Sequence, residues 1–272
     1  MPELPEVETT RRGISPYIEG QRISDITIRN HSLRWPIPDT LPETLNQQQI
    51  HKISRRAKYL LFHCDDGTLI LHLGMSGSLR ILESDDNVAK HDHVDIKVEN
   101  GYLLRYTDPR RFGAILWTSE AISDHALLNH LGPEPLSDDF TADYLSSKAK
   151  TRKISIKKFI MDGKIVVGVG NIYASEALFL AGISPKKLAK ELSTKEYQQL
   201  VLSIKQVLKK AIAAGGTTLK DFKKSDGKPG YFAQQLNVYG RKGQACYHCG
   251  SEILDYKEAQ RATYYCPLCQ TN

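Results

Sequence analysis

The sequence of 272 residues contains no run of about 18 apolar residues, the length that a membrane-spanning helix requires. Its N-terminus, MPELPEVE, carries acidic residues where a signal peptide has a basic and then an apolar stretch. We find no internal repeat and no low-complexity tract. Hydrophobic residues make up 40% and charged residues 25%, which excludes a disordered chain. These features predict a globular protein of the cytosol.

Cysteine is also scarce, with five residues in the chain, and four of the five lie near the C-terminus. Cys246 and Cys249 form one CxxC pair, Cys266 and Cys269 form a second, and sixteen residues separate the pairs. This spacing is typical of a four-thiolate zinc site, which is structural because it has no open position. Two disulfides would use the same residues, but a cytosolic compartment disfavours them. Cys64, in a strand-like run, is interpreted as a small buried hydrophobe.

Basic residues are few in the first half of the chain. Residues 1–147 contain 15 Lys and Arg against 22 Asp and Glu, a net charge of −7, whereas residues 148–272 contain 22 against 9, a net charge of +13. Such an asymmetry indicates that the second half meets a polyanion, most often nucleic acid. On charge alone, a solvated basic face is an equally good explanation.

The apolar pattern predicts a sheet domain followed by a helical domain. The segment from Pro5 to Gly13 is predicted to be a short helix that ends at Gly13. Turn signals separate five strand-like segments, which predict an antiparallel sandwich or barrel: RISDITIR, KYLLFHC, TLILHL, HVDIKV and YLLRYT.

A long amphipathic helix is predicted in the second half. Its apolar face consists of Leu200, Ile204, Val207, Leu208, Ala211 and Ile212, and it ends at Gly215-Gly216. The domain boundary is placed near HLGPEPLSDD, where two prolines and a glycine interrupt both periodicities.

Three further segments are candidates for binding an anion. GVGNIYASEALF predicts a tight turn whose amides can face an anion at a helix start, although without the surrounding positive charge a capped turn with no ligand is the preferred interpretation. The run TTLKDFKKSDGKPGYF is a basic loop able to contact phosphate or close over a ligand, although most such loops are connectors. SEILDYK and ATYYC predict a hairpin with Gln260 and Arg261 near its tip.

The opening residues predict a nucleophile. If Met1 is removed, Pro2 becomes a secondary amine, and an α-amino group has a pKa of about 7.7 to 8.0, so part of it is unprotonated near neutral pH. Such an amine can attack a sugar carbon and form an iminium intermediate. Glu3 lies beside it as a proton donor or acceptor, and Glu6 follows one helical turn later.

Together with other motifs, this start resembles the bacterial formamidopyrimidine-DNA glycosylases, which remove oxidised purines from DNA. The blocks that carry the resemblance are PELPEVET, RRAKYLL, HLGMSGSLR, HDHVD, LRYTDPRRFG, HLGPEPL, VVGVGNIYASE, GGTTLKDF, DGKPGYF, VYGRKG and AQRATYYCPLC. The resemblance implies an α+β multidomain fold that binds duplex DNA between its domains and acts as a monomer. It predicts a β-sandwich domain with an N-terminal helix over residues 1–131, a helix-two-turns-helix domain over 132–237, and a hairpin zinc finger with one structural Zn²⁺ over 238–272.

The resemblance also assigns roles to individual residues. Pro2 matches the nucleophile that attacks C1′ of the damaged nucleotide, and Glu3 matches the adjacent acid/base. Lys58 and Arg261 match catalytic-site residues that hold phosphate. His72, Lys157, Asn171 and Tyr239 are further predicted DNA contacts.

Three residues match those that the family inserts into the space left by the flipped base. Met75 is the apolar filler, Arg110 the donor for the orphaned cytosine, and Phe112 the wedge. Without the resemblance, Met75 and Phe112 fit ordinary strand core positions. The segment 217–231 is the candidate lid over the damaged base.

The implied reaction is base excision followed by β and δ elimination at an oxidised purine opposite cytosine. Two alternatives remain at this point. One is the related endonuclease VIII branch, which acts on oxidised pyrimidines. The other is a non-catalytic zinc-finger DNA-binding protein, in which PELPEVE only begins a helix.

Overall fold

Helix α1 spans Leu4–Ile18 and begins as predicted, with Pro5 in its first turn. The prediction that it ends at Gly13 is wrong. Ile14 and Ile18 lie one turn apart, and neither has any exposed surface. Burial of two such side chains stabilises the helix by more than the ~1 kcal/mol that an interior glycine costs. Packing therefore decides where α1 ends.

A computed structural model describes residues 2–83, 87–216 and 236–271. The chain divides into two units. Of the described residues, those up to 129 and 214–216 belong to the first unit, and 130–213 and 236–271 belong to the second. No helix in these described ranges is long and apolar enough to cross a membrane.

Two four-stranded antiparallel sheets form the first unit, with strand orders β1-β6-β7-β5 and β2-β3-β4-β8. The strands are β1 (Ile23–Ile28), β2 (Lys52–Arg56), β3 (Tyr59–His63), β4 (Thr68–His72), β5 (Ser78–Leu82), β6 (Asp92–Val98), β7 (Leu103–Thr107) and β8 (Ala114–Thr118). A short helix, α2, spans Leu41–Leu45. All five predicted strands are confirmed, and the sequence reasoning missed β2, β5, β8 and α2.

One hydrophobic core joins both sheets to α1. Phe62 and Leu69 from the second sheet and Ile96 and Leu104 from the first belong to the same buried cluster, which also contains Ile14 of α1. The prediction for Cys64 is confirmed, because this residue is buried in the same cluster and burial raises its pKa to about 12.

Helices dominate the second unit. They are α3 (Ala142–Ala149), α4 (Ile156–Ile160), α5 (Asn171–Ala181), a 3-10 turn at Ala189–Glu191, and α6 (Thr194–Ala213). The predicted long helix is α6, and its buried face contains the expected residues Leu200, Ile204, Val207, Leu208 and Ala211. Ile212 is half-buried. The mixed α+β fold class is confirmed.

The predicted hairpin is present in the second unit. Strands β9 (Leu254–Glu258) and β10 (Arg261–Tyr265) pair antiparallel, with Arg261 opposite Glu258. The two turn residues, Ala259 and Gln260, have φ of 46° and 63°. Positive φ at both central positions defines the tight turn that matches the twist of a hairpin. Arg261 therefore begins β10 directly after the turn.

Candidate active site and DNA-contact residues

The N-terminal residues are held in place by the start of α1. Pro2 is buried and directly precedes Glu3, the N-cap residue. Glu3 and Glu6 are each 2% exposed, and the Glu6 carboxylate accepts a hydrogen bond from the Glu3 backbone N–H at 2.8 Å. The positive end of the α1 dipole also lies here. Met1 lies outside the described residues.

Helix α1 is tied to the neighbouring sheet through Glu8. Its carboxylate accepts hydrogen bonds from Arg11 and Arg12 and, at 3.3 Å, from Arg55 of β2. Burial alone would raise the pKa of Glu8, but the arginine partners outweigh it and lower the pKa to about 2. The carboxylate stays charged at neutral pH, so α1 presents Pro2 and Glu3 from a fixed position.

Lys58 lies close enough to His72 for its positive charge to affect the pKa of the His72 ring. Lys58 is half-buried in the turn between β2 and β3, and His72 ends β4. Burial, followed by the charges of Lys58 and Arg34, lowers the pKa of His72 to about 4. The Gly74 backbone N–H donates to His72 Nδ1 at 2.9 Å, so the neutral ring carries its proton on Nε2. At neutral pH, His72 is an uncharged donor.

Met75, Arg110 and Phe112 lie together outside the strands of the first unit. Met75 is 36% and Phe112 45% exposed, and the Arg110 guanidinium carbon lies 5.1 Å from the centre of the Phe112 ring. These three residues, with Arg34, His72 and others, line a surface cavity of about 650 Å³. The alternative that Met75 and Phe112 are strand core residues is therefore wrong.

In the second unit, Lys157 is buried instead of reaching the surface. It is 2% exposed, and its ammonium donates to Asn171 Oδ1 at 2.6 Å and to Thr263 Oγ1 at 2.8 Å. A longer hydrogen bond of 3.3 Å reaches the Ala262 carbonyl, which also accepts from Asn171 Nδ2 at 3.0 Å. The structure therefore does not support the prediction that Lys157 itself contacts DNA, because its donors are directed at protein acceptors.

Asn171 and Arg261 line one cavity of about 320 Å³ in this unit, together with the exposed Lys158. Asn171 is the first residue of α5, as the glycine-rich motif predicts, and Gly168 before it has φ of 77°. Side chains from a helix start, a hairpin and α4 therefore line one concave surface, which also contains the acids Asp162 and Glu258.

Tyr239 is positioned by a buried acid that the sequence reasoning missed. Glu176 of α5 is 1% exposed, and its carboxylate accepts hydrogen bonds from the backbone N–H groups of Asn237, Val238 and Tyr239 at 2.8 to 2.9 Å. The Tyr239 ring packs edge-on against Tyr264 of β10, with 5.1 Å between ring centres. In the sequence, this role of Glu176 is indicated by its position as the single acidic residue in the apolar stretch NIYASEALF.

The four cysteines near the C-terminus form a metal site. Their sulfur atoms all lie within 4.8 Å of one another, and the Cys246–Cys269 and Cys249–Cys266 separations are 3.9 and 3.4 Å. A tetrahedral zinc with Zn–S distances of about 2.3 Å requires sulfur separations of about 3.8 Å. No disulfide joins these residues. The geometry and the all-thiolate donor set both fit one structural Zn²⁺.

Comparison with known proteins places this chain among glycosylases over its whole length. It is 57% identical over 270 residues to a formamidopyrimidine-DNA glycosylase of Saccharophagus degradans and 58% identical to that of an Escherichia coli O7:K1 strain, covering 99% of this chain and 100% of each relative. The chain belongs to the formamidopyrimidine-DNA glycosylase family. Three family models also match: the N-terminal domain of these glycosylases over residues 1–115, their H2TH domain over 131–223, and a zinc finger found in FPG and IleRS over 243–272.

Solved structures of the formamidopyrimidine-DNA glycosylase family share this fold. The MutM (Fpg) protein of Thermus thermophilus has a TM-score of 0.88 at 36% identity, with 99% of this chain and 98% of that chain covered. The Lactococcus lactis Fpg in complex with DNA containing N7-benzyl-Fapy-dG has a TM-score of 0.92 at 36% identity, with both chains fully covered.

The structure brings the predicted residues into three local groups, each within one unit. Pro2 and Glu3 form the first group, at the start of α1. The second surrounds the cavity lined by His72, Met75, Arg110 and Phe112, and the third surrounds the cavity lined by Asn171 and Arg261. The candidate lid at 217–231 lies outside the described residues.

Proposed function

We propose that this chain is a bifunctional DNA glycosylase and abasic-site lyase that excises oxidised purines from duplex DNA during base excision repair. The observation that carries the proposal is the buried Pro2 directly before the buried Glu3 at the start of α1, in a chain of this family. Its substrates are 8-oxoguanine and formamidopyrimidines, with the lesion opposite cytosine.

Pro2 is the proposed nucleophile once Met1 has been removed. Its nitrogen forms a bond to C1′ of the damaged nucleotide, the bond from C1′ to the base breaks, and the base leaves with that electron pair and a proton. The attached nitrogen then loses its proton, the C1′–O4′ bond breaks as O4′ takes up a proton, and the iminium formed in this way makes the C2′ proton acidic. Loss of this proton expels the 3′ phosphate and a second elimination expels the 5′ phosphate, which leaves a one-nucleotide gap. Glu3 is the proposed proton donor and acceptor.

Met75, Arg110 and Phe112 are proposed to fill the space of the extruded nucleotide. A flipped base loses stacking and pairing at a cost of a few kcal/mol. Phe112 and Met75 supply apolar surface in place of the stack, and Arg110 donates to the unpaired cytosine. Their exposure on adjacent loops supports this role, because no rearrangement of the core is needed to reach DNA.

Lys58, His72, Asn171, Tyr239 and Arg261 are the proposed phosphate contacts. Such contacts supply affinity and register but little sequence information. His72 acts as a neutral Nε2–H donor, because its pKa of about 4 leaves it uncharged at neutral pH. Lys58 and Arg261 bring positive charge.

Lys157 is proposed to act on DNA indirectly. Its ammonium occupies the acceptor atom of the Asn171 side chain and the Ala262 carbonyl accepts one amide N–H, so the second N–H of Asn171 is the group left to donate to DNA. It also holds β10 beside Arg261 through Thr263 and Ala262. Zinc supports the same hairpin and performs no chemistry.

Three finer features belong to the same proposal. The chain acts as a monomer in the bacterial cytoplasm, where chromosomal DNA lies. The three domains keep the predicted limits of 1–131, 132–237 and 238–272. The segment 217–231 recognises the damaged base. Gly216, the residue before this segment, lies close to Glu6, since a Cβ at Gly216 would be 3.2 Å from Glu6 Oε1.

A lesion panel tests the proposed function. Purified protein without Met1 is incubated with duplexes that carry 8-oxoguanine, a formamidopyrimidine, thymine glycol or no lesion, each opposite cytosine and adenine. We expect base release and a gap with phosphate at both ends, fastest for the purine lesions opposite cytosine. Preference for thymine glycol would instead indicate the endonuclease VIII specificity.

Two variants complete the test. Pro2→Gly replaces the secondary amine with a less constrained primary amine, and Glu3→Gln removes the carboxylate that transfers protons, so we expect each to lower the rate of excision by about 100-fold or more. Both variants should still bind an uncleavable lesion duplex. Unchanged excision in both variants would reject the assigned roles of Pro2 and Glu3, whereas binding of the lesion duplex by wild type without any excision would favour a DNA-binding protein without enzymatic activity.

A further inference from the structure

Asp108 is a buried acid to which neither the resemblance nor the proposed mechanism gives a role. It follows β7 and has no exposed surface. Its Oδ1 accepts from Ser76 Oγ at 2.7 Å and the Arg110 backbone N–H at 3.2 Å. Its Oδ2 accepts from the Gly113 backbone N–H at 2.9 Å and the Tyr106 hydroxyl at 3.0 Å. Two hydrogen bonds at each oxygen satisfy an ionised carboxylate fully.

These partners come from both segments that carry the proposed inserting residues. One segment is the Met75 turn, residues 73–77, and the other is the Phe112 loop, residues 108–113. Ser76 directly follows Met75, whereas Arg110 and Gly113 flank Phe112. Ser76 Oγ also accepts from the Arg110 backbone N–H at 3.2 Å. One carboxylate and one hydroxyl thus connect the two segments.

The backbones of the two segments are so close that a side chain would not fit at Gly74, and the second segment is equally close to Tyr106. A Cβ at Gly74 would lie 2.4 Å from the Phe112 carbonyl carbon, and a Cβ at Gly113 would lie 1.8 Å from the Tyr106 hydroxyl. Gly74 also has φ of 63°, which favours glycine. The backbone of both segments is therefore fixed, whereas the Met75 and Phe112 side chains remain exposed.

We propose that Asp108 is a positioning residue that sets the Met75 turn and the Phe112 loop in the arrangement needed to enter DNA. This inference rests on the proposed insertion of Met75, Arg110 and Phe112. Loops that are ordered before binding lose less conformational entropy when they insert, so more of the contact energy remains to oppose the cost of unstacking. Asp108 touches neither substrate nor the reacting atoms.

The chemistry of the site requires an anion with acceptors only. All four partners present an N–H or O–H, so a carboxylate matches every one. In Asp108→Asn, one oxygen is replaced by an NH₂ group, which would meet two donors. We therefore expect the two segments to separate in that variant even when the surrounding strands stay folded.

A matched pair of milder variants isolates the positioning role. Ser76→Ala removes a hydroxyl that links Asp108 to the Met75 turn, whereas Tyr106→Phe removes a hydroxyl that links the same carboxylate to strand β7. Both lose one hydrogen bond to the Asp108 carboxylate, and the Arg110 backbone N–H that also donates to Ser76 keeps Asp108 Oδ1 as an acceptor, so a purely structural role predicts similar effects. A positioning role predicts that Ser76→Ala alone changes insertion.

Insertion is measured with a duplex that carries an uncleavable tetrahydrofuran abasic analogue opposite cytosine and 2-aminopurine beside it. The fluorescence rise at saturating protein reports unstacking independently of affinity. Wild type and Tyr106→Phe should give the full rise. Ser76→Ala and Asp108→Asn should give less than half of it and excise 8-oxoguanine about tenfold more slowly, the rate equivalent of one hydrogen bond to a charged group.

The outcomes separate this inference from the proposed function. Equal signals for Ser76→Ala and Tyr106→Phe, or a full signal in folded Asp108→Asn, would overturn the positioning role. Absence of 8-oxoguanine excision in wild type, together with a normal fluorescence rise, would reject the enzymatic function while leaving the inference intact. Thermal melts of all variants establish which of them are folded.

Discussion

The two units hold their proposed DNA contacts with buried charges of opposite sign. In the first unit, the Asp108 carboxylate accepts hydrogen bonds from the backbone and hydroxyl donors of two loops. In the second, the Lys157 ammonium donates to the acceptors Asn171, Ala262 and Thr263. The two loops of the first unit have backbone N–H groups that need acceptors. The hairpin edge and the Asn171 side chain of the second unit have oxygens that need donors. The charge of each buried residue follows from the groups that it must satisfy.

Removal of zinc should have the largest effect on DNA binding, and it should act through the second unit. The hairpin that carries Arg261 lies between the two cysteine pairs in the sequence, and binding of a structural zinc contributes about 10 kcal/mol or more to folding. We expect chelation to weaken binding of a lesion duplex by roughly 100-fold or more. Fluorescence anisotropy before and after chelation, with zinc added back, measures the effect.

A pair of cysteine variants controls that experiment. Cys246→Ala should lower bound zinc from one equivalent per chain and reproduce the affinity loss. Cys64→Ala, at a buried cysteine of the first unit, should keep the metal and the affinity. Full affinity in metal-free protein would mean that the hairpin does not depend on zinc.

Two adjacent lysines give the next largest contrast. Lys157→Met removes the buried ammonium and leaves oxygens of Asn171 and Thr263 without that donor, at a cost of about 2 kcal/mol in the free energy of unfolding. Lys158→Met removes an exposed charge and should change stability by less than about 0.5 kcal/mol. Urea denaturation measures both.

DNA affinity distinguishes the same pair. Lys157→Met should lower affinity by about tenfold, and its effect should overlap with that of Asn171→Ala in a double-mutant cycle, because both act through one side chain. Lys158→Met should mainly reduce the salt dependence of binding. Additive losses for Lys157 and Asn171 would contradict the indirect role.

Mild acid should weaken the first unit through His72. Its pKa is about 4 in the fold and about 6.5 in the unfolded chain, so the unfolded chain takes up a proton first as pH falls. The contribution of His72 is complete above pH 6.5 and is lost toward pH 4. Between pH 7.5 and 5.5 we expect the free energy of unfolding of wild type to fall by about 1 kcal/mol through His72. This loss should be absent in His72→Gln. Equal pH dependence of the free energy of unfolding in both proteins would refute this.

The smallest expected effect concerns the cap of α4. Ser155 accepts a hydrogen bond from the Lys158 backbone N–H at 3.2 Å and donates to Glu258 of the hairpin at 2.7 Å. Ser155→Ala should cost about 1 kcal/mol and weaken DNA binding about twofold. Thr141→Ala removes the cap of α3, where the Thr141 side chain accepts from the Tyr144 backbone N–H, and should lower stability alone. A twofold loss of affinity in both variants would argue against the hairpin link.

Local pattern was sufficient for part of this structure. Apolar and β-branched residues between turn signals predicted β4 and β6, and cysteine spacing predicted the zinc cluster, because each signal lies within a short stretch. The end of α1 was mispredicted, because Gly13 is a local stop signal whereas the burial of Ile14 and Ile18 depends on strands distant in sequence.

The buried charges show where sequence reasoning stops. Lys157 and the exposed Lys158 are adjacent lysines that the sequence does not distinguish, and only the fold shows that Lys157 is the buried one. Asp108 lies in the motif LRYTDPRRFG, where Arg110 and Phe112 attracted the functional assignment. Its partner Ser76 is 32 residues away in sequence, so nothing local indicates the pair.

Covalent trapping is the most direct test of the central claim, which is that the N-terminal amine of the first unit performs the chemistry, whereas the buried Lys157 of the second unit supports DNA contacts and takes no part in it. Protein without Met1 is reacted with an 8-oxoguanine:cytosine duplex and borohydride, and the adduct is located by mass spectrometry. We expect DNA attached to Pro2 in wild type and in Lys157→Met. We expect no adduct when a residue added before Pro2 converts the Pro2 nitrogen into an amide. An adduct on a lysine, or none with the terminus free and zinc bound, would contradict the account.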